Sequence, residues 1–411
     1  MPQFPVKTAL LTPPGRAAVA VIGLWGDDVV HLIDQVFTST TGKSLVDLST
    51  QRAPEKQIFY GRWLATGEDV VVTQCDDRWE IHCHGGSFAP QKVLDSLFQS
   101  GNVELVSSPS AARRIFKTCW KAEIQTLLSQ SSTDRAAQWL LRMLQLADTF
   151  AERLRAELIA DTARFELTLT QMLELAEFGL HLTIPRSVVF CGQPNVGKSS
   201  LINALIGFER SIVHQQPGTT RDVVTSLSAI DGWPVEFKDT AGLRDTTNLI
   251  EQTGIERARQ VIETADLVIA VFDVSDKWHA TSDQQIRDLR PQIVVGNKVD
   301  LLTDTSTQVQ SFNDSVTKSW QVSNERNRDD YQNYDASIIM TSTVTQHNVN
   351  ELIDQIANSL VPRLPPLDLL IPVSETQVDR IESWLQQLQR GERQDILRQI
   401  EEVFFETANE R

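Results

Sequence analysis

Apolar positions along the 411 residues change period several times, and each change marks an element. Val19–Ile22, Val70–Thr73 and Trp79–His82 are short β-rich runs, whereas Gln91–Phe98 has helical spacing, so residues 1–119 are expected to form a small α/β domain. No Gly or Pro occurs from Ser110 to Phe178. Within that span Ala136, Leu140, Leu144, Ala147, Ala151, Leu154 and Leu158 line one helical face, and Ser131-Ser132-Thr133-Asp134 offers an N-cap. Residues 120–183 are therefore read as the first part of a helical domain.

From 184 to 361 strand and helix patterns alternate, as in a doubly wound α/β domain. Ser187–Cys191, Leu267–Phe272 and Ile293–Val295 are near-continuous apolar runs typical of buried parallel strands. Asp231-Gly232 between two alternating runs predicts a hairpin. The polar stretch between Leu302 and Ser337 shows little periodicity and predicts a long mobile surface insertion. Pro362, Pro365, Pro366 and Pro372 predict a stiff linker. Beyond it Val378, Ile381, Leu385, Leu388, Leu397, Ile400 and Phe404 form an apolar helical face, interrupted at Gly391. Residues 362–411 are read as the second part of the helical domain, with the α/β domain inserted between its halves.

Composition adds bounds. The net charge of −16 argues against a nucleic-acid footprint over the whole surface, though not against a local one. Four cysteines without a C-x-x-C pair suit a reducing compartment, and neither a signal peptide nor a membrane-length apolar span is evident. A cytoplasmic protein with no membrane partner is expected. His82-Cys83-His84 lacks a second ligand pair at zinc spacing. Gly23-Leu24-Trp25-Gly26 is followed by two aspartates where a phosphate clamp needs cations.

The chemistry gathers in the inserted domain. Gly192-Gln193-Pro194-Asn195-Val196-Gly197-Lys198-Ser199-Ser200 fits G-x-x-x-x-G-K-[ST], with a strand before it and a helix after. Its backbone N–H groups can cradle a triphosphate, Lys198 adds charge for the β/γ-phosphates, and the Ser199 hydroxyl can ligate Mg²⁺. Gly218-Thr219-Thr220-Arg221-Asp222 supplies Thr220 to complete Mg²⁺ coordination and sense the γ-phosphate. In Asp239-Thr240-Ala241-Gly242 the carboxylate can hold Mg²⁺ and the Gly242 N–H can reach the γ-phosphate. Asn297-Lys298-Val299-Asp300 supplies a carboxylate for guanine N1–H and the 2-amino group, while Lys298 can lie over the base. Backbone N–H groups of Thr341-Ser342-Thr343 would meet guanine O6. Their order behind a phosphate loop points to GTP rather than ATP. Leu243 occupies the place where many GTPases keep a water-orienting glutamine. Glu251 is the acidic residue in the stretch that follows; its spacing alone also suits a solvated helix start.

These motifs resemble the MnmE/TrmE family of tRNA-modification GTPases. Beside the phosphate loop, Pro217–Asp222, Asp239–Arg244 and Gly254–Ala258 match it closely. Thr12-Pro13-Pro14-Gly15-Arg16 and Glu80–Gly86 are specific to that family among GTPases. The resemblance implies an α/β multidomain protein: an N-terminal tetrahydrofolate-binding-like domain, with Glu80 in its site, and a split helical domain holding the GTPase. It further implies K⁺ stimulation with Asn195 and Thr219 as potassium ligands, Glu251 positioning water, and Lys198 and Thr220 beside it in catalysis. A homodimer is implied, as is a GidA/MnmG-type flavoprotein partner through which tRNA is reached for wobble-uridine modification. The sequence departs from the family in five respects. Phe404-Phe405-Glu406-Thr407 stands where its members carry a cysteine and a terminal lysine, Gly23 where they carry an arginine, a lysine-bearing segment near 113–121 is shortened, the helical domain is smaller, and Thr343 stands where an alanine is common. A second reading follows from these departures: a GTP-gated interaction protein that keeps the GTPase but not folate-dependent chemistry. A ribosome-assembly GTPase is a third, and no basic RNA-binding domain or second GTPase repeat accompanies it.

Overall fold

A computed structural model describes residues 5–12, 17–46, 57–75, 77–107, 111, 115, 118–208, 225–239, 259–326 and 337–405. The chain divides into two compact units: Met1–Gln130 with Leu140–Leu173 and Ser374–Arg411, and Ser131–Trp139 with Glu174–Val373. Ser131–Trp139, the stretch 174–183 and the proline-rich stretch to Val373 thus group with the nucleotide-binding motifs.

The first unit contains a seven-stranded sheet. Its strands are β1 (Val6–Leu10), β2 (Val19–Trp25), β3 (Phe37–Ser39), β4 (Ile58–Trp63), β5 (Asp69–Gln74), β6 (Trp79–His84) and β7 (Val103–Leu105), in the order β3-β4-β5-β6-β2-β1-β7. All neighbours are antiparallel except β1 and β7. Alternation along β4 and β6 buries Phe59, Trp63, Trp79, Ile81 and Cys83 on one face. Helices α1 (Val29–Asp34) and α2 (Phe88–Ser100) contribute Leu32, Ile33, Val93 and Leu97 to the same core. The Trp63 indole N–H donates to Ser96 Oγ at 2.8 Å, satisfying its buried polar edge.

The same unit holds helices drawn from both ends of the chain: α3 (Cys119–Leu128), most of α4 (Asp134–Ala160), α5 (Thr162–Glu174), and the C-terminal pair described below. Glu157, buried between α4 and α5, accepts from Arg153 Nε at 2.9 Å, Arg164 Nε at 3.2 Å and Thr168 Oγ1 at 2.8 Å. A buried carboxylate is tolerated because its lone pairs are used.

The second unit opens with the first turn of α4, capped as its sequence predicts: Thr133 Oγ1 accepts the Ala136 N–H at 3.3 Å. The short α6 (Ala176–Leu180) leads to a six-stranded sheet. Its strands are β8 (Arg186–Cys191), β9 (Thr225–Ile230), β10 (Trp233–Asp239), β11 (Leu267–Asp273), β12 (Ile293–Asn297) and β13 (Ser337–Thr341), in the order β13-β12-β11-β8-β10-β9. All are parallel except β9, which pairs antiparallel with β10 across the expected Asp231-Gly232 turn, where both residues have positive φ. Arg135 of α4 stacks over the Trp233 ring, 4.5 Å from its centroid, and donates to the Asp231 carbonyl and carboxylate. Helices α7 (Lys198–Phe208), α8 (Ala280–Leu289), α9 (Thr305–Arg326) and α10 (Val349–Leu360) accompany this sheet.

The expected mobile insertion between Leu302 and Ser337 is corrected by α9, which occupies 305–326. Phe312, Val316 and Ser319 are buried and Trp320 packs beside them, giving a one-sided stripe at spacings of four, three and one. Polar residues surround that stripe closely enough to hide it in the sequence. Ser319 Oγ donates to Asp283 of α8, and the rings of Trp278 and Phe312 meet edge-on at 5.3 Å.

The C-terminal helices α11 (Glu375–Gln389) and α12 (Arg393–Phe404) break at Gly391, which has φ +79°. They join the helices of the first unit. Trp120 of α3 stacks on Phe404 of α12 with centroids 4.7 Å apart, and Trp384 of α11 lies 6.4 Å from the same ring. Among the described residues, no helix is long and apolar enough to cross a membrane.

Candidate GTP site

Strand β8 is buried along its whole length and delivers the chain into the phosphate loop at the point where successive strands depart to opposite sides. Two glycines are required there. Gly192 has φ +154°, and a Cβ on it would lie 2.3 Å from the Val271 carbonyl oxygen. Gly197 has φ +97°, and a Cβ would meet Asn297 Nδ2, also at 2.3 Å. Asn195 turns the loop in the left-handed region at φ 66° and is exposed, as are Ser199 and Ser200. Lys198 is buried at the start of α7, and its Nζ donates to the carbonyls of Gly192 (3.1 Å) and Gln193 (2.9 Å).

Distant sequence elements converge on this loop. Ser199 Oγ donates to Asp239 Oδ2 at 2.5 Å, which brings together two of the residues expected at Mg²⁺. Asn297, buried at the end of β12, donates from Nδ2 to the Val196 carbonyl at 2.9 Å. Its Oδ1 accepts from Thr341 Oγ1 at 3.2 Å. Lys298 follows with φ 68°, and Asp300 lies in the 3₁₀ turn Val299–Leu301. Ser342 Oγ donates to Asp300 Oδ1, while the Ser342 N–H goes to the His347 carbonyl at 3.2 Å; Thr343 is half-buried beside it. Gly218, Thr219, Thr220, Thr240, Ala241, Gly242, Leu243 and Glu251 lie outside the described residues.

A scan of family models matches residues 187–298 to the model described as "50S ribosome-binding GTPase". The match starts in β8 and ends at Lys298. The tRNA modification GTPase MnmE of Geobacillus thermodenitrificans is 31% identical over 73% of this chain and 74% of its own length. The chain belongs to the MnmE family.

The MnmE of Oceanobacillus iheyensis extends the match to 92% of this chain and 93% of its own, at 27% identity. Among solved structures, Era in complex with MgGDPNP and 16S ribosomal RNA nucleotides is 25% identical over 44% of this chain and 58% of its own, with a TM-score of 0.32. This MnmE-family chain is a GTPase using GTP with Mg²⁺.

Glu80, expected in a folate-like site, lies on β6 opposite Gly23 of β2. Both carboxylate oxygens are engaged: Oε1 by Arg78 at 2.7 Å and Oε2 by His82 Nε2 at 3.2 Å. Gly23 is covered by Trp25, whose Cη2 would lie 2.7 Å from an added Cβ. The buried Trp25 indole N–H has no hydrogen-bond partner among the described residues. Each Glu80 carboxylate oxygen thus has one cationic or imidazole neighbour, and the facing strand position at Gly23 offers no side chain. Most of Thr12–Arg16 lies outside the described residues.

A second cluster proves structural. Glu177, His181 and Asp266 place ligand atoms within 4.8 Å of one another. Arg186 Nη1 already holds Glu177 Oε1 at 2.9 Å, and Asp266 Oδ2 accepts the Ser187 N–H at 2.6 Å. This cluster sits where β8 and β11 begin, at the sheet end opposite the phosphate loop.

The motifs overlooked one neighbour of the site, Asp273. It is the last residue of β11 just as Asp239 is the last of β10, and an aspartate ending a buried parallel strand is the available signal.

Proposed function

We propose that this chain binds GTP across the C-terminal edge of the second-unit sheet and hydrolyses it to drive tRNA wobble-uridine modification with a GidA/MnmG-type flavoprotein. The observation supporting this reading is that the segments at Asp239 and Asn297 meet the loop 192–200 through the Ser199–Asp239 and Asn297–Val196 contacts, while Ser342 joins Asp300 beside them. N–H groups of Asn195–Ser200 and the Lys198 ammonium take the phosphates. Ser199, Thr220 and Asp239 hold Mg²⁺, and Asp300 reads the guanine edge. Gly218, Thr219, Thr240, Ala241 and Gly242 are assigned to GTP binding on the γ-phosphate side, and Lys298, Ser342 and Thr343 to the base.

Leu243 cannot orient water, and Glu251 takes that role, as the resemblance to the family implies. A potassium ion held by Asn195 and Thr219 supplies the charge that other GTPases draw from an arginine finger. Replacing Na⁺ by K⁺ at constant ionic strength should raise kcat at least about tenfold, and Glu251→Ala should lower it about a hundredfold. Equal rates in the two salts would remove potassium from the mechanism.

In this proposal residues 1–119 form a tetrahydrofolate-binding-like domain. Residues 120–183 and 362–411 form a helical domain into which the GTPase of 184–361 is inserted, in a homodimeric cytoplasmic protein. Wobble-uridine modification should disappear from tRNA of cells lacking the chain; unchanged tRNA would reject the pathway while leaving the GTPase intact.

The Trp25 cover over Gly23 and the engaged Glu80 favour a second reading, a GTP-gated interaction protein without folate chemistry. Titration of the full chain with a tetrahydrofolate separates the two. Saturable binding would reject this second reading, and its absence would reject the tetrahydrofolate-binding role of residues 1–119.

A further inference from the structure

The end of β11 carries a carboxylate that none of the roles above employs. Asp273 pairs in register with Asn297, the first residue of the guanine loop, and the Val274 N–H donates to the Asn297 carbonyl at 3.0 Å. The Asp273 side chain is fixed from two sides. Its Oδ1 accepts the Ser275 N–H at 2.9 Å and the Ser275 hydroxyl at 2.6 Å. Its Oδ2 accepts Lys298 Nζ at 2.7 Å. Burial alone would raise the carboxyl pKa, but hydrogen bonds from Lys298 and Ser275 outweigh it and hold the group below the ordinary carboxylate range.

This contact matters because of what a lysine costs to place. Its flexible stem has many rotamers, and ordering them only when a ligand arrives subtracts from affinity. Lys298 starts from a left-handed backbone and is anchored at its far end, so the stem is set before any base enters. An ammonium has three donors. Asp273 takes one, and the remainder can serve a nucleotide.

We propose that Asp273 is a positioning residue for guanine-nucleotide recognition, acting through Lys298 without touching the ligand. The inference rests on Asn297–Asp300 being the base-binding loop. A double-mutant cycle in the full-length chain tests it, using GTP turnover for KM and kcat and GDP titration for Kd. Asp273→Asn, which keeps the shape and removes the charge, should raise the KM for GTP and the Kd for GDP about tenfold, with a smaller change in kcat. Lys298→Ala should raise both constants at least as much, and adding Asp273→Asn to it should change them by less than about twofold. Ser275→Ala, which removes one anchor of the carboxylate, should shift both in the same direction by a few-fold, and it carries the cycle if Asp273→Asn folds poorly. An unchanged KM in Lys298→Ala would overturn the base-loop reading itself. A raised KM in Lys298→Ala with none in Asp273→Asn, or an equal penalty for Asp273→Asn in both backgrounds, would overturn the positioning role alone.

Discussion

Lys198→Ala is expected to lower kcat/KM for GTP by at least about a thousandfold, roughly 4 kcal/mol of transition-state stabilisation. The ammonium is buried at the base of the phosphate loop, with the Gly192 and Gln193 carbonyls among its partners. A triphosphate bound in the loop would place its β- and γ-phosphates beside this point charge, and the variant would lose that charge stabilisation where the phosphoryl group transfers. Adding GTP should raise the unfolding temperature of the parent and leave the variant unmoved. A variant that still gains thermal stability from GTP would place the phosphate elsewhere. Lys198→Arg should fare little better, since a planar guanidinium does not fit a pocket shaped for a point charge.

Asp300→Asn should exchange one substrate for another. In the proposed site the carboxylate would present two acceptors to the guanine N1–H and 2-amino donors. An asparagine presents one donor and one acceptor, which suits xanthine, whose C2 bears a carbonyl. Opposing the 2-amino group with an amide N–H leaves two donors face to face, so kcat/KM for GTP should fall by about 10²–10³ while that for XTP rises. Ser342 can still donate its hydroxyl to the asparagine oxygen, so the turn Val299–Leu301 should keep its shape. Competition between GTP and XTP in one assay reads the exchange directly; an undiminished preference for GTP would show that Asp300 does not face the base.

Most of the nucleotide site was legible because its determinants are local. A glycine at 192 or 197 answers a backbone demand that the loop pattern states outright, and the hairpin at Asp231-Gly232 is written in two residues. Strands such as Leu267–Asp273 announce themselves as unbroken apolar runs because both faces are covered. Other features depend on partners remote in sequence. The stripe Phe312–Val316–Trp320 is too narrow to stand out among Ser, Thr, Gln and Asn, yet it suffices once α8 and β11 supply the opposing surface. The β3-β4-β5-β6-β2-β1-β7 order cannot be deduced from alternation, which gives the face of each strand but not its neighbour. Trp25 over Gly23 could be found only once the packing was known, because the two side-chain sites lie two residues apart on one strand face. Asp273 escaped for a related reason: it lies in none of the motifs, and its partner Lys298 is 25 positions away.

The Asn297 side chain spans from Thr341 to the Val196 carbonyl, so one buried amide braces the base loop against the phosphate loop. This bridge fixes the spacing between the two loops, so in the proposed site a nucleotide would be gauged along its length, from purine edge to β-phosphate. Guanosine analogues with an acyclic or extended spacer in place of ribose should be turned away even though their base and phosphates are intact.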